Sequence, residues 1–141
     1  MSDNSMIDDL IANDPEMLES FINESRECLV VAEKDLNSLR EASAEPDPEC
    51  IERAFRSIHS LKSAAGFLGL DKVSNLALRL EEMLGHLRSG AITPEVNRVE
   101  LLLEGVRMLG DMLANPMASS DVDTAPFLTK LAEHMAAHHD E

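Results

Sequence analysis

The sequence predicts an all-α protein, an antiparallel four-helix bundle with an additional C-terminal helix. Three observations predict it. Apolar residues recur at spacings of three and four through most of the 141 residues, which is the period of a helix face; the alternation of a half-buried strand is absent. Turn signals built on Pro and Gly divide the chain into segments of helix length. With four Phe and no Trp or Tyr, the core must be made of Leu, Ile, Val, Ala and Met, side chains that interdigitate well between helices.

In chain order, residues 1–13 read as a polar leader whose short apolar turn (Met6, Leu10, Ile11) is expected to pack on the bundle. Asp14-Pro15-Glu16 is a helix start, with Asp as N-cap, Pro at the first position and an acid in the first turn. Leu18, Phe21, Ile22, Ser25, Leu29, Ala32, Leu36 and Leu39 then form a stripe that stops near Ala44. Pro46-Asp47-Pro48 is the turn into a central helix beginning around Glu49. Its stripe is Ile51, Ala54, Ile58, Leu61, Ala65 and Leu68. Gly69-Leu70 breaks it, and Asp71 is placed to cap the next helix. That helix carries Val73, Leu76, Ala77, Leu80, Met83, Leu84 and Leu87, and ends at Ser89-Gly90. Thr93-Pro94-Glu95 repeats the cap, proline, acid pattern ahead of Val99, Leu102, Leu103, Val106, Leu109 and Leu113, and Asn115-Pro116 closes that segment. A polar link, Ala118 to Asp123, leads to a shorter helix with Phe127, Leu128, Leu131 and Met135. Short connections between long amphipathic helices make neighbours antiparallel. The bundle is expected over 14–137, with 138–141 as a tail and no second domain.

Composition narrows the function. A formal net charge of -15 argues against nucleic acid or an anionic membrane surface as partner. The acidity is uneven: fifteen acids and three bases lie in residues 1–52, and no acid lies between Arg53 and Leu70. Most of that acidity reads as solvated helix surface. Cys28 and Cys50, both in predicted helices, fit a reduced interior. No apolar run approaches membrane-spanning length, and Met1-Ser2-Asp3-Asn4 is acidic, unlike a secretory signal. A cytoplasmic protein is expected.

The acid-free stretch holds the chemistry. On the central helix His59, Lys62, Ser63 and Gly66 fall at i, i+3, i+4 and i+7, one strip along the flank of the apolar stripe. A cation one turn away does nothing for a neutral imidazole, but it favours a dianionic group attached to it. The small residues at 63 and 66 leave room for another protein to descend onto the ring. The strip reads as a phosphate-carrying histidine presented to a partner. On the next helix Glu81 sits one turn beyond Ala77, at the edge of the core stripe. If the two helices are neighbours, its carboxylate can accept from Nδ1–H, fix the tautomer and leave Nε2 as the nucleophile.

The run His59-Ser-Leu-Lys62-Ser-Ala-Ala65-Gly66-Phe-Leu68-Gly69 resembles the signature of histidine-containing phosphotransfer (HPt) domains, most closely those at the N-terminus of CheA-type chemotaxis histidine kinases. The resemblance implies His59 as phosphoacceptor, Lys62 as its phosphate-side neighbour, Glu81 as the residue that orients the ring, and Gly66 as clearance for a receiver domain. Ser63 stands where the family usually has glycine, and Leu78 where CheA-type domains often carry a second histidine. Arg56 either assists docking or solvates the helix. Phe55, Phe67 and Leu70 flank the strip as a candidate apolar contact surface, with Phe55 expected rather to point into the core.

The function expected is a phosphorelay carrier that takes a phosphoryl group from a kinase catalytic domain or phosphorylated receiver and passes it to a receiver aspartate. It binds no cofactor of its own, Mg²⁺ being expected on the receiver. No P-loop is present, since Gly66-x-x-Gly69 is not one, so no ATP site is visible. The rival from another class is an adaptor or inhibitor bundle that binds a kinase or receiver without carrying phosphate. His134 and His138 stand at i and i+4, a metal-ligand spacing, with His139 beside them. Without a Cys partner or a supporting shell, and at a chain end, they read as solvated tail, and no metal is expected.

Overall fold

Pro48 occupies the first turn of its helix, where its missing N–H costs nothing, and Asp47 caps that turn by accepting from the Glu49 N–H at 2.9 Å. Such local signals set most element boundaries in the computed structural model, which describes residues 15–41 and 46–136. Among these residues the chain forms α1 (Pro15–Glu41), α2 (Pro48–Phe67), α3 (Asp71–Ser89), α4 (Val96–Ala114), a 3₁₀ helix (Pro116–Asp121) and α5 (Ala125–Ala136). The leader, the Asp14 cap, the end of the first helix near Ala44 and the tail with His138 and His139 lie outside the described residues.

Two starts differ from expectation. Asp71 is the first residue of α3 rather than its side-chain cap: the capping position is Leu70, and no side chain accepts from the first turn. Asp71 therefore acts only through its charge at the helix N-terminus. Thr93-Pro94-Glu95 does not begin α4, which starts at Val96 with Glu95 at the capping position and no side-chain cap bond. The Thr93 carbonyl is instead turned to the Glu95 N–H at 2.8 Å and to the Arg98 guanidinium. The helix ends follow their glycines: Gly69 (φ 76) and Gly90 (φ 83) take the left-handed backbone that reverses the chain after α2 and α3.

The four long helices form a closed ring of neighbours, α1 on α2, α2 on α3, α3 on α4 and α4 on α1, with α5 laid over α3 and α4. The α2 and α3 stripes are buried at every position named from the sequence, with Ile58, Leu76 and Ala77 fully enclosed. Met83 and Met112 are core residues and Met108 packs at its edge, as filler between less adaptable side chains. The link 118–123 is not irregular: it is mostly the 3₁₀ helix, with Ser119 buried and its Oγ donating to the Pro116 carbonyl at 2.7 Å.

Charged side chains inside the bundle are paired. Asp35 lies in the α1 interface, 5% exposed, and accepts from Arg53 Nε and Nη2 across the α1–α2 seam, the shortest contact being 3.0 Å. Arg98, 5% exposed, donates to the Thr93 and His134 carbonyls, tying the end of α5 to the α3–α4 turn. A charge so enclosed is tolerated because its hydrogen bonds replace water. Cys28 and Cys50 are both free thiols. Burial, then the neighbouring acids (Glu24 and Glu27 for Cys28, Asp35 and Asp47 for Cys50), pushes each thiol's pKa up, which disfavours the reactive thiolate.

Candidate phosphoacceptor site

The α2–α3 pair runs antiparallel, so residues approaching the end of α2 face residues in the middle of α3. His59 and Lys62, one turn apart on the flank of the buried α2 stripe, both reach the carboxylate of Glu81. His59 Nδ1 lies 2.5 Å from Glu81 Oε2, and Lys62 Nζ donates to Oε1 at 2.9 Å. One carboxylate thus serves an imidazole and an ammonium, one oxygen each. Side-chain exposure falls steeply across the three: 54% for His59, 24% for Lys62 and 12% for Glu81. The acid is set back against the bundle and the ring stands out from it.

Electrostatics follow from that arrangement. Burial alone would raise the pKa of Glu81. Hydrogen bonds from Lys62 and then His59, with their charges, overcome it and hold the carboxyl below its ordinary value. Glu81 is therefore ionised near neutrality and can only accept hydrogen bonds. Nδ1 must then carry the proton that points to it, so that in the neutral ring the lone pair lies on Nε2, on the exposed side. This is the protonation state a nucleophilic imidazole needs.

The structure brings together His59, Lys62 and Glu81, as expected, and adds the Lys62–Glu81 pairing, which spacing alone did not give. The remaining positions divide. Ser63 and Gly66 are exposed beside the ring, Phe67 is 57% exposed and Arg56 is open to solvent, 3.9 Å from Glu52. Leu70 does not belong with them: it is 6% exposed and part of the core, because the chain turns inward after Gly69. Gly66 also has a role inside the bundle. A Cβ there would stand 3.3 Å from Ser74 Oγ, so the glycine permits the close approach of α2 and α3 where Ser74 donates to the Lys62 carbonyl at 3.2 Å. Phe55 packs against the core as expected but is only half-buried, at the α2–α3 seam beside the His59 ring. Among the described residues no cluster of three or more His, Cys, Asp or Glu is arranged to hold a metal, and His134 Nδ1 is engaged with the Lys130 carbonyl at 2.9 Å.

This helical pair with its exposed histidine defines a class. The chain belongs to the Hpt domain family, whose model matches residues 16–115. Among curated proteins it is similar to the chemotaxis protein CheA of Halobacterium salinarum, 30% identical over 107 residues that make up 75% of this chain and 16% of that protein. Against the chemotaxis protein CheA of Rhizobium meliloti it is 31% identical over 110 residues, 78% of this chain and 14% of that protein. The match thus spans about one-sixth of the length of these relatives. Its fold is that of the phosphorylated P1 domain of CheA3 from R. sphaeroides, solved in complex with CheY6. The TM-score is 0.76 at 22% identity, covering 86% of this chain and 97% of that one.

Proposed function

We propose that this chain is a phosphocarrier of two-component signalling, with Nε2 of His59 as the acceptor. The observation that carries the proposal is the His59–Glu81 contact, which holds Nδ1 on a recessed, ionised carboxylate and leaves Nε2 on the exposed side of the ring. In the loading step the Nε2 lone pair attacks phosphorus of a phosphoanhydride or an acyl phosphate. The Nε2–P bond forms as the P–O bond to the leaving group breaks. The product ring, bonded through Nε2 and protonated at Nδ1, carries positive charge, and Glu81 offsets it. Lys62 uses one of its three N–H groups on Glu81 and has two left for the new phosphoryl oxygens.

In the unloading step a carboxylate oxygen of a receiver aspartate attacks the same phosphorus, the Nε2–P bond breaks, and the electron pair returns to the ring. Mg²⁺ held by the receiver would neutralise charge on the transferring group there. The partners are therefore a histidine-kinase catalytic domain and a receiver domain, the second in keeping with the solved neighbour in complex with CheY6. The receiver would descend over Ser63, Gly66 and the exposed face of Phe67, with Arg56 at the rim. No described helix is long and apolar enough to cross a membrane, and the free thiols fit the reducing cytoplasm, where we place the reaction.

The test is incubation with ATP and candidate kinase cores, followed by intact-mass and tandem mass spectrometry. An acid-labile phosphate on His59 that a receiver with Mg²⁺ discharges is expected. His59→Gln should abolish acceptance while leaving the fold intact, since the ring is more than half exposed. Tight binding to a kinase or receiver by both forms, with no phosphate on either, would make the chain an adaptor instead.

A further inference from the structure

Beyond the three groups at the acceptor, α2 and α3 carry a ladder of matched contacts. His59, Phe55 and Glu52 descend one flank of α2, and Glu81, Gly85 and Arg88 descend the facing flank of α3, so His59 meets Glu81, Phe55 meets Gly85 and Glu52 meets Arg88. The middle rung is the informative one. The Phe55 and His59 rings are nearly parallel, 7° between planes with centroids 6.2 Å apart. Arg88 lays its guanidinium over the Phe55 ring, Cζ 3.9 Å from the centroid, and is itself held by Glu52 Oε2 at 3.4 Å. Gly85 lies against the same ring: a Cβ there would stand 3.7 Å from Phe55 Cε2, in ordinary van der Waals contact.

A hydrogen bond at Nδ1 fixes one direction of an imidazole but leaves the ring free to rock about that bond. A flat neighbour removes the second freedom. We infer that Phe55, clamped by Arg88 and seated on Gly85, is a positioning residue that sets the plane of the His59 ring and so aims Nε2. The inference deepens the carrier reading and rests on it. Phe55 touches no transferred atom; it acts through His59. A cation–π contact of this kind favours one placement of the aromatic ring at a half-exposed site, and small misalignments of a nucleophile cost rate steeply.

The experiment compares the full chain with F55L, which keeps apolar bulk without a ring, and F55Y, which keeps the ring. Two readouts are taken: the ring ¹H and ¹⁵N resonances of His59, and its rate of phosphorylation by phosphoramidate, a small donor that needs no docking surface. In that reaction Nε2 displaces ammonia from phosphorus. F55L is expected to lose the ring-current displacement of His59 while Glu81 still holds the Nδ1–H tautomer, and to accept phosphate about tenfold more slowly. F55Y should stay within about twofold of wild type on the same footing. An amide spectrum unchanged in F55L shows that the bundle is intact. F55L with wild-type His59 resonances and a wild-type rate would overturn the inference. A wild-type chain that shows the ordered ring yet takes no phosphate on His59 would instead sink the carrier reading.

Discussion

At Glu81 the needs of the site and of the bundle meet in one carboxyl group. The side chain is 12% exposed, yet charged, because Lys62 and His59 each donate to one of its oxygens. Its lowered pKa has a definite sign in stability. A carboxyl whose folded pKa lies below its unfolded one stabilises the fold above the unfolded value, and loses that contribution as pH falls through the folded value. Denaturant unfolding of wild type and Glu81→Gln should therefore differ most above the ordinary glutamate value of 4.5 and converge on the acid side of it. A gap that stays constant from neutrality to pH 3 would contradict this. The same substitution should slow phosphoryl acceptance by about 10- to 100-fold, by analogy with the hydrogen-bond partners that orient metal-ligating histidines. His59 and Lys62 were legible in the sequence because a helix puts i and i+3 on one strip. Glu81 was legible only as an edge position, since helix adjacency is a tertiary fact. The Lys62–Glu81 pair and the Phe55 contact were not legible, because both depend on the axial register of α2 against α3.

Among the elements, α4 departs most from its sequence stripe, and the reason is that two layers cover it. Val99, Leu102, Leu103, Val106, Leu109 and Leu113 face the bundle, while Arg98, Leu101, Gly105 and Met112 are also buried. A single apolar face marks a helix with one neighbour surface; α4 meets α1, α3 and α5 together. Gly105 is the close point. A Cβ there would fall 2.5 Å from Leu80 Cδ2 and 3.0 Å from Phe127 Cζ, with both neighbours enclosed. Gly110, five residues on, would place its Cβ an ordinary 3.9 Å from Leu29 Cδ1. Two effects compete in a glycine-to-alanine change: a helix-propensity gain of about 1 kcal/mol and, where space is lacking, an overpacking cost of about 1–3 kcal/mol. Gly110→Ala should raise the unfolding free energy by about 0.5–1 kcal/mol, and Gly105→Ala should lower it or leave it no higher. Thermal unfolding of the two variants checks both signs, and a stabilised Gly105→Ala would mean that α5 sits more loosely than described. The α2 N-terminus, by contrast, could be read directly: Asp47 and Pro48 are local signals with local consequences. Asp71 and Thr93 carried the same signals, but neither stands at the capping position: Asp71 is already the first residue of α3, and Thr93 lies two residues before Glu95, which takes the capping position of α4 in its place.

For the whole molecule, the uneven charge acquires a meaning from the fold. The acid-free run Arg53–Leu70 is most of α2, the helix that would have to tolerate a dianion, and the acid that meets its histidine, Glu81, comes from α3 and is set back against the bundle. The bundle supplies rigidity: Ile58 and Leu61, on either side of the histidine in sequence, are 0% and 1% exposed, so the backbone bearing His59 is pinned by the core while its ring stands in solvent. Fold class was legible because periodicity and turns are local, and the exposure of the residues flanking the strip was legible except at Leu70, where the direction of the chain after Gly69 decided the matter.

The central claim is that Glu81 holds Nδ1 and leaves Nε2 to carry phosphate. It is tested most directly by ¹⁵N-histidine labelling, with ring resonances and ³¹P–¹⁵N couplings recorded before and after phosphorylation. The free protein should show His59 as the Nδ1–H tautomer, and the loaded protein a phosphorus coupled to Nε2 alone. Phosphorus on Nδ1, or on a serine oxygen with the His59 ring unchanged, would contradict the account.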